Sequence, residues 1–274
     1  MTGETLHVRT FGDFTGPPLV AVHGVYGHGG RWRELAAGHL ADRRVHAPDL
    51  RGQGRSPWSA PWNLEQHVAD VLATMDALGL RQADILGFSF GAAVSLYLAR
   101  QAPERVGRLV LLEPAVGLGT DGVARSAAKA LAAPSFDDQA EARTAYRASW
   151  PSASRDAVEQ ELADYLEQGE DGRWRWRFNP DAIAAAYTEM GRPAVLPPTG
   201  VPTLLVRATR SKVMRPEYVE ACRTSGVEVA DVGSGHQLLL ERPAETGVLV
   251  RRFLVARPDG PRGGGVAASG VVEE

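Results

Sequence analysis

The sequence contains a serine in a setting that makes its hydroxyl a candidate nucleophile. Residues 87–91 read Gly-Phe-Ser-Phe-Gly, after an apolar run that predicts a strand and before a segment that predicts a helix. We expect both flanking positions to need glycine, because so sharp a turn brings them against the adjacent strand and helix. The pentapeptide alone is a weak signal, since glycine and serine are common in loops. Its setting favours a strained Ser89 whose hydroxyl faces a cleft.

A base for this serine is predicted near the other end of the chain. His236 follows Gly-Ser-Gly at residues 233–235, after the last predicted strand. A serine hydroxyl is a poor nucleophile at neutral pH, and an imidazole activates it by removing its proton during attack. A single histidine is more often structural. His236, however, occupies the position that the chain order serine, acid, histidine predicts.

Two backbone N–H groups are candidates for holding the oxyanion that forms when a carbonyl is attacked. The apolar run at residues 19–22 leads directly into His23-Gly24-Val25-Tyr26-Gly27. Ligands bind in open α/β sheets at such carboxyl ends of strands. The N–H groups of Val25 and Phe90 are therefore the expected donors. For His23 itself we expect a structural role, with its ring hydrogen-bonded to neighbouring backbone.

The elements that must position these groups alternate as in an α/β sheet. Short apolar runs predict buried strands, and longer segments with helical apolar spacing predict crossover helices between them. Asn63 is expected to cap one such helix, with Gln66 completing a capping-box-like pair. The predicted strands, or their cores, are residues 5–11, 19–22, 45–47, 85–86, 109–112, 204–206 and 227–232.

This alternation stops after residue 112 and resumes near residue 202. The intervening residues 114–200 are rich in Ala, Glu and Arg and are interrupted by prolines, which predicts an inserted helical lid. Residues 1–113 and 201–256 then form the core. Residues 257–274 are rich in Pro, Gly, Ala and Ser and are expected to be a disordered tail.

Composition argues against several classes of function. The 274 residues are 44% apolar, which is enough for one large core, and their net charge of −3 lacks the basic excess of nucleic-acid binders. A single cysteine excludes an intramolecular disulfide, and the histidines have no metal-ligand spacing. The start does not resemble a signal peptide, and no run approaches the ~18 apolar residues of a membrane span. We expect a cytoplasmic protein without metal, cofactor, nucleic-acid or membrane partner; the sequence indicates no oligomeric state.

Taken together, the ordered motifs resemble those of the α/β-hydrolase superfamily, in its lid-bearing serine hydrolase branch. The resemblance spans roughly residues 5–255. It implies a mostly parallel, eight-stranded sheet with crossover helices, and Ser89 and His236 in one pocket under the lid. Residues 49–56 resemble a structural loop of the family, to which we assign no chemistry. The motifs are the His-Gly loop at His23, Asp-Leu-Arg-Gly-Gln-Gly-Arg-Ser at 49–56, the pentapeptide at Ser89, Leu-Glu-Pro at 112–114 and Gly-His at 235–236.

The acid is where this sequence departs from the family pattern. In the family it usually follows the strand that corresponds to residues 204–206, but Lys212 stands at that place and no carboxylate precedes Glu217. A lysine cannot stabilise an imidazolium. Glu113, directly after the strand at residues 109–112, is the expected replacement, an arrangement that resembles certain haloalkane dehalogenases. The alternatives are a Glu113 that only caps a helix or anchors the lid, and a protein that has lost its acid.

The implied function is a cofactor-free serine hydrolase that cleaves an ester, lactone or related acyl bond of a small, largely apolar molecule. Tyr26 and Trp58 are expected to line its pocket, although each is equally compatible with lid or core packing. Serine at the pentapeptide disfavours dehalogenase and epoxide-hydrolase chemistry, for which relatives use aspartate. Two alternatives stay open: non-hydrolytic or carbon–carbon bond chemistry, including perhydrolysis, in the same pocket, and a non-enzymatic small-molecule binder.

Overall fold

Seven strands form the main sheet of the computed structural model, which describes residues 2–151 and 153–255. The strands of the described residues are β1 (Val8–Gly12), β2 (Pro18–Val22), β3 (Arg44–Pro48), β4 (Ala83–Phe88), β5 (Val106–Leu112), β6 (Leu166–Gln168), β7 (Trp174–Trp176), β8 (Thr203–Ala208) and β9 (Glu228–Val232). Across the main sheet the order is β1-β3-β2-β4-β5-β8-β9. Only the pair β1–β3 is antiparallel. The mostly parallel sheet of the prediction is confirmed.

The expected count of eight strands is wrong for the described residues, whose main sheet has seven, and the first predicted strand, residues 5–11, is shorter at its start than expected. Strand β1 begins only at Val8. The backbone ahead of it is held by side chains, because the N–H groups of Glu4 and Leu6 donate to Asp70 and Thr74 at 2.8 and 3.0 Å. Because its N–H is taken by a helix side chain, Leu6 does not pair in the sheet, and the strand does not reach back to residue 5.

Helices cover both faces of the main sheet. The helices that follow strands of the sheet are α1 (Arg33–His39), α2 (Leu64–Ala77), α3 (Phe90–Gln101), α8 (Pro216–Thr224), α9 (Leu238–Glu241) and α10 (Pro243–Val255). Side chains alternate between the faces of a strand. Accordingly, Val20 and Val22 of β2 pack in one core with α2, α3 and α8, whereas Leu19 and Ala21 pack in a second core with α1 and α10. All four are essentially inaccessible to water, and burying a Val or Leu side chain contributes about 1.5–3 kcal/mol.

Helix α2 shows how far local sequence rules hold here. The side chain of Asn63 accepts a hydrogen bond from the N–H of Gln66 at 2.9 Å, so the predicted cap is confirmed. The reciprocal half of a capping box is absent, because the Gln66 amide donates instead to Asp70 and to the Thr2 carbonyl. Of the apolar residues spaced along this helix, Val68, Val71 and Met75 are buried in the core, Leu72 is partly buried against it, and Leu78 is exposed.

Residues 114–200, called the insertion below, separate β5 from β8. They contain α4 (Thr120–Leu131), α5 (Gln139–Ser149), α6 (Arg155–Tyr165), the hairpin of β6 and β7, and α7 (Pro180–Met190). Strand β7 lies where arginine and aromatic residues alternate, within residues 172–178.

Two boundary features of the chain complete the description. The tail expected at residues 257–274 lies outside the described residues. Within those residues, no helix combines the length and apolar character needed to cross a membrane.

Candidate active site

Ser89 stands at the tip of the turn between β4 and α3. Its backbone has φ +55°, in the left-handed region that side chains disfavour, and its hydroxyl caps no N–H of the helix. The strain is held in place by neighbouring strands, since the Ser89 N–H donates to the Leu112 carbonyl at 2.9 Å. The side chain is thereby kept free for another partner. The residue is buried, with 5% of its surface exposed.

The two glycines that flank the turn are required by close packing, as predicted. A Cβ added at Gly87 would lie 2.5 Å from the Gly91 carbonyl oxygen and from the Ser95 hydroxyl. One added at Gly91 would overlap the carbonyl oxygens of Val22 and His23. Both contacts are closer than real Cβ atoms show, so any larger residue would displace Ser89.

Ser89, His236 and Glu113 form one row of hydrogen bonds. The Oγ atom of Ser89 lies 3.0 Å from Nε2 of His236, and Nδ1 of the same ring lies 3.2 Å from Oε2 of Glu113. The carboxylate is fully buried, whereas 27% of the His236 side chain is exposed. The imidazole therefore reaches from a buried acid to a serine at the edge of a cleft.

Glu113 is placed by the two adjacent strands β5 and β8. Its N–H donates to the Val206 carbonyl at 2.9 Å, and its Oε1 accepts the N–H of Ala208 at 2.7 Å. Leu112 and Val206 are direct partners in the sheet, so a side chain at the end of either strand is near the same imidazole. Lys212, at the place where the family's acid usually stands, is exposed.

The loop after β2 passes directly against the serine. A Cβ built on Gly24 would lie 3.0 Å from the Ser89 Cβ, so Val25 follows at the edge of the site. Phe90 is the first residue of α3, where an N–H has no acceptor within the helix. The N–H groups of Val25 and Phe90 are thus near Ser89, and their role as oxyanion donors stays a prediction.

Backbone strain in the described residues is concentrated at this site. Their non-glycine residues with positive φ are Tyr26 at +58°, Ser89 at +55° and Glu113 at +48°. Tyr26 lies in the loop after β2, Ser89 lies at the turn after β4, and Glu113 lies at the end of β5. Such strain costs of order 1–3 kcal/mol per residue and persists only where the surroundings enforce it.

His23 has the structural role that was expected of it. Its Nδ1 lies 2.7 Å from the Gly24 carbonyl oxygen, and its Nε2 accepts the N–H of Leu50 at 2.8 Å. Burial lowers its pKa to about 4, although the Asp49 carboxylate opposes this shift. The ring is neutral at pH 7. It fastens the loop after β2 to the end of β3.

Two cavities border the loop after β2. The smaller, of about 90 Å³, is bordered by Gly24, Phe88 and Gln237, next to the site. The larger, of about 470 Å³, lies between the insertion and Tyr26. Arg31, Tyr146 and Glu161 line both cavities, so these three side chains form the partition between them.

Comparisons with known proteins place this arrangement in a family. A family model described as "alpha/beta hydrolase fold" matches residues 17–133. The chain is 35% identical over 266 residues to Lipase LipV of Mycobacterium tuberculosis, covering 94% of this chain and 98% of the relative. The chain belongs to the α/β-hydrolase superfamily.

Two further comparisons agree with that membership. This α/β hydrolase is 28% identical to the sn-1-specific diacylglycerol lipase ABHD11 of Mus musculus, over 89% of this chain and 82% of the relative. The solved structure of E-2-(acetamidomethylene)succinate hydrolase superimposes with a TM-score of 0.82 at 22% identity, covering 92% of this chain and 95% of that one. The latter likeness concerns the fold.

The structure separates the two residues that were expected to line the pocket of this hydrolase. Tyr26 borders the larger cavity and packs edge-to-face on Phe178 at 5.1 Å. Trp58 borders neither of the two cavities, and its place in a substrate pocket stays a prediction. Its indole N–H donates to the Gly54 carbonyl at 3.3 Å, which holds the ring on an outer loop with 37% of the residue exposed.

Sequence reasoning missed a glutamate that holds the loop of His236. Oε2 of Glu241 accepts the N–H of Gly235 at 2.9 Å and pairs with Arg210 at 3.0 Å. The hydrogen bond from Gly235 lowers the pKa of this carboxyl, with Arg210 adding to the effect. No motif marks Glu241; its place five residues after His236, in a short helix, is the only sequence signal.

A buried ionic cluster at the partition was also missed. Glu161 of the insertion pairs with Arg31 at 2.5 Å and with Nε2 of His28 at 3.1 Å. More than a hundred residues separate the partners, so no local spacing predicts the cluster. The described residues contain no group of three or more potential metal ligands.

Proposed function

We propose that this α/β hydrolase is a serine hydrolase that cleaves carboxylic esters, lactones or related acyl bonds of small, largely apolar molecules without a cofactor. The observation that carries the proposal is the row from Ser89 Oγ through His236 to Glu113, with distances of 3.0 and 3.2 Å. A row of this kind suits acyl transfer, because it couples a nucleophile to a base and the base to a buried anion.

In the proposed first half-reaction, Nε2 of His236 takes the proton of the Ser89 hydroxyl as Oγ bonds to the carbonyl carbon. The N–H groups of Val25 and Phe90 hold the resulting oxyanion. The intermediate then expels the alcohol, which receives the proton from His236, and an acyl-enzyme remains. Glu113 accepts the Nδ1–H and stabilises the imidazolium throughout, so it orients the base and keeps its charge balanced.

In the second half-reaction, His236 takes a proton from water as the water oxygen attacks the acyl carbon. The intermediate collapses, Ser89 Oγ leaves and recovers the proton from His236, and the carboxylic acid is released. Water reaches the imidazole from its exposed side, since more than a quarter of the His236 side chain is accessible.

The names of the relatives support an ester as substrate. Besides the two lipases above, the chain is 42% identical over 108 residues to the pimeloyl-[acyl-carrier protein] methyl ester esterase of Methylococcus capsulatus. Lys212, at the usual place of the acid, favoured a non-enzymatic binder. Glu113 weakens that argument, because it stands within hydrogen-bond distance of His236.

We also propose that the insertion acts as a lid. The insertion borders both cavities, and it contacts the core through ion pairs as well as apolar side chains. Arg9, Arg31 and Arg33 of the core pair with Glu161 and Asp164 of α6. Closure of this kind excludes water from an acyl-transfer site.

The experiment is a screen of p-nitrophenyl esters from acetate to long acyl chains, together with lactones, and labelling with a fluorophosphonate. We expect turnover of at least one class and stoichiometric labelling that the Ser89→Ala variant loses. A folded wild-type protein that neither turns over any of these compounds nor reacts with the fluorophosphonate would overturn the proposal.

A further inference from the structure

The backbone of His236 is held in place only by its neighbours. Within the parts of the chain that the structure describes, residues 2–151 and 153–255, neither its N–H nor its carbonyl has a hydrogen-bond partner. The ring, by contrast, contacts Ser89 through one nitrogen and Glu113 through the other, at 3.0 and 3.2 Å. These two distances therefore depend on whatever fixes the residues before and after His236.

Glu241 contacts the backbone on both sides of His236. Its Oε2 accepts the N–H of Gly235 at 2.9 Å, and its own N–H donates to the Gln237 carbonyl at 2.9 Å. The side chain reaches back along the short helix α9 to make the first of these contacts. Since Gly235 and Gln237 are the direct neighbours of the histidine, one glutamate holds the chain immediately before and after the ring.

Arg210 connects this glutamate to the end of β8. Its Nη2 donates to Oε2 of Glu241 at 3.0 Å, and its backbone N–H donates to the Ser234 carbonyl at 2.9 Å. Ala208, two residues earlier, donates its N–H to the Glu113 carboxylate at 2.7 Å. One strand end thus holds the acid through Ala208 and the loop of the histidine through Arg210.

The carboxylate of Glu241 also explains the glycine that precedes the histidine. A Cβ added at Gly235 would lie 2.7 Å from Oε1 of Glu241, and the next-nearest atoms belong to the same carboxyl group, at 3.5 Å. An alanine there would push the end of a side chain aside rather than displace backbone. At Gly233, in the same loop, an added Cβ meets nothing within 4 Å. Neither glycine has a positive φ, so both positions accept a side chain conformationally.

We propose that Glu241 and Arg210 are positioning residues for His236, and that with Ala208 they set the spacing between the histidine and Glu113. The role rests on the proposed function, because it concerns the base of that reaction. A misplacement of about 1 Å can cost about a hundredfold in rate. The side chains of Arg210 and Glu241 are 58% and 27% exposed, so their ion pair by itself contributes little to stability. Their loss should therefore affect kcat far more than folding.

The first test removes the carboxylate. Glu241→Ala should lower kcat for p-nitrophenyl acetate about thirty-fold and change KM less than about twofold, because the base is misplaced while substrate contacts remain. Glu241→Gln keeps an oxygen for the Gly235 N–H and should recover most of the activity. The matched control is Glu228→Ala, which removes an ion pair of 2.8 Å with Arg252 at the start of β9. Equal kcat in Glu241→Ala and Glu228→Ala would refute the inference.

The two glycines give an independent arm in which Glu241 itself is unchanged. Gly235→Ala should push the carboxylate aside and lower kcat as Glu241→Ala does, whereas Gly233→Ala should keep the wild-type kcat. In the Glu241→Ala background the clash no longer exists, so Gly235→Ala should cause little further loss. Additive losses in the double variant, or equal losses from the two alanines, would overturn the role of the carboxylate.

Arg210 acts through the same carboxylate, so its loss should not add to that of Glu241. We expect Arg210→Ala to lower kcat about fivefold in the wild-type background and not at all in the Glu241→Ala background. Arg252→Ala, which removes another exposed arginine from an ion pair, serves as the control. A loss from Arg210→Ala that is the same in both backgrounds would refute the role of Arg210.

The tautomer of the His236 ring separates failure of this inference from failure of the proposed function. Nδ1 faces a carboxylate, which only accepts, so the neutral ring carries its proton there. Ring-nitrogen chemical shifts, assigned with His236→Ala, should show this single tautomer in wild type and a mixture of both tautomers in Glu241→Ala. If wild type hydrolyses none of the esters, a mixture upholds the inference and an unchanged tautomer refutes it. Ester turnover that Glu241→Ala leaves at the wild-type rate refutes the inference and leaves the hydrolase proposal standing.

Discussion

Two glutamates in this molecule each pair with a histidine, and the two pairs have nearly the same length. Glu113 lies 3.2 Å from Nδ1 of His236 at the edge of the main sheet, and Glu161 lies 3.1 Å from Nε2 of His28 at the junction with the insertion. Both carboxylates are at least 95% buried. Distance and burial of the acid therefore do not distinguish the two pairs.

The difference lies in what the other ring nitrogen faces. For His236 it faces the Ser89 hydroxyl, and the ring is partly open to solvent. For His28 it accepts the N–H of Gly30 at 3.1 Å, and 2% of the side chain is exposed. Glu161 also pairs with Arg31. The first pair is suited to move a proton, and the second to hold the insertion on the core.

We expect the largest effect from removing the Ser89 hydroxyl, the group that distinguishes the first pair from the second. Ser89→Ala should lower kcat by several powers of ten, because removal of the nucleophile leaves only binding and oxyanion contacts. Turnover of p-nitrophenyl acetate measures the loss, and circular dichroism checks that the fold is retained. Wild-type turnover in this variant would contradict the assignment of Ser89.

The same substitution in the two pairs gives the sharpest contrast. Glu113→Gln should lower kcat roughly a thousandfold, because an amide presents the wrong partner to Nδ1–H and cannot balance an imidazolium. Glu161→Gln should leave kcat for the acetate ester within about threefold of wild type. The measurement is kcat for both variants under one set of conditions. A similar loss in both would remove the distinction between the pairs.

Stability should respond in the opposite order. Glu161→Gln leaves Arg31 and His28 facing a neutral group at a buried site, and we expect the free energy of unfolding to fall by about 2–3 kcal/mol. In Glu113→Gln, the amide oxygen still accepts the Ala208 N–H, so the loss should be smaller. Urea unfolding at pH 7 compares the two. A Glu113 variant that is the less stable one would reverse the interpretation.

A pH series gives the smallest of these effects. Burial by itself raises the pKa of Glu161. Arg31 and the hydrogen bond from His28 outweigh this effect and lower the pKa from its ordinary 4.5 to about 2. A carboxyl with a depressed pKa stabilises the fold fully above pH 4.5 and loses this contribution as the pH falls towards 2. The difference in unfolding free energy between wild type and Glu161→Gln should therefore shrink between pH 5 and pH 3. A constant difference would exclude Glu161 as its source.

The parts of the fold that sequence alone could predict depend on neighbours along the chain. The strands appear within a few residues of their predicted positions, because apolar runs mark burial directly. The glycines at 87 and 91 followed from the sterics of one turn. The late start of β1 at Val8 did not, because Asp70 and Thr74, far along the chain, hold the N–H groups of Glu4 and Leu6.

The site shows the same division. The Ser89 turn and the Gly-His segment are local patterns, and the structure brings them together. Trp58 was assigned to the pocket from its place in a loop, whereas its orientation depends on a hydrogen bond to Gly54 that its sequence position does not reveal. Glu161 meets Arg31 and His28 of the core only through the packing of α6, and no spacing in the sequence indicates this contact.

The adjacency of β5 and β8 has an evolutionary consequence. The strand ends carrying Glu113 and Ala208 lie side by side, joined through the Glu113 carboxylate itself. A lineage can therefore acquire a second carboxylate on one strand end before it loses the first on the other, and at no step is the histidine left without a partner. Positions 113 and 212 are about a hundred residues apart along the chain but follow adjacent strands, so migration of an acid from one to the other requires no inactive ancestor.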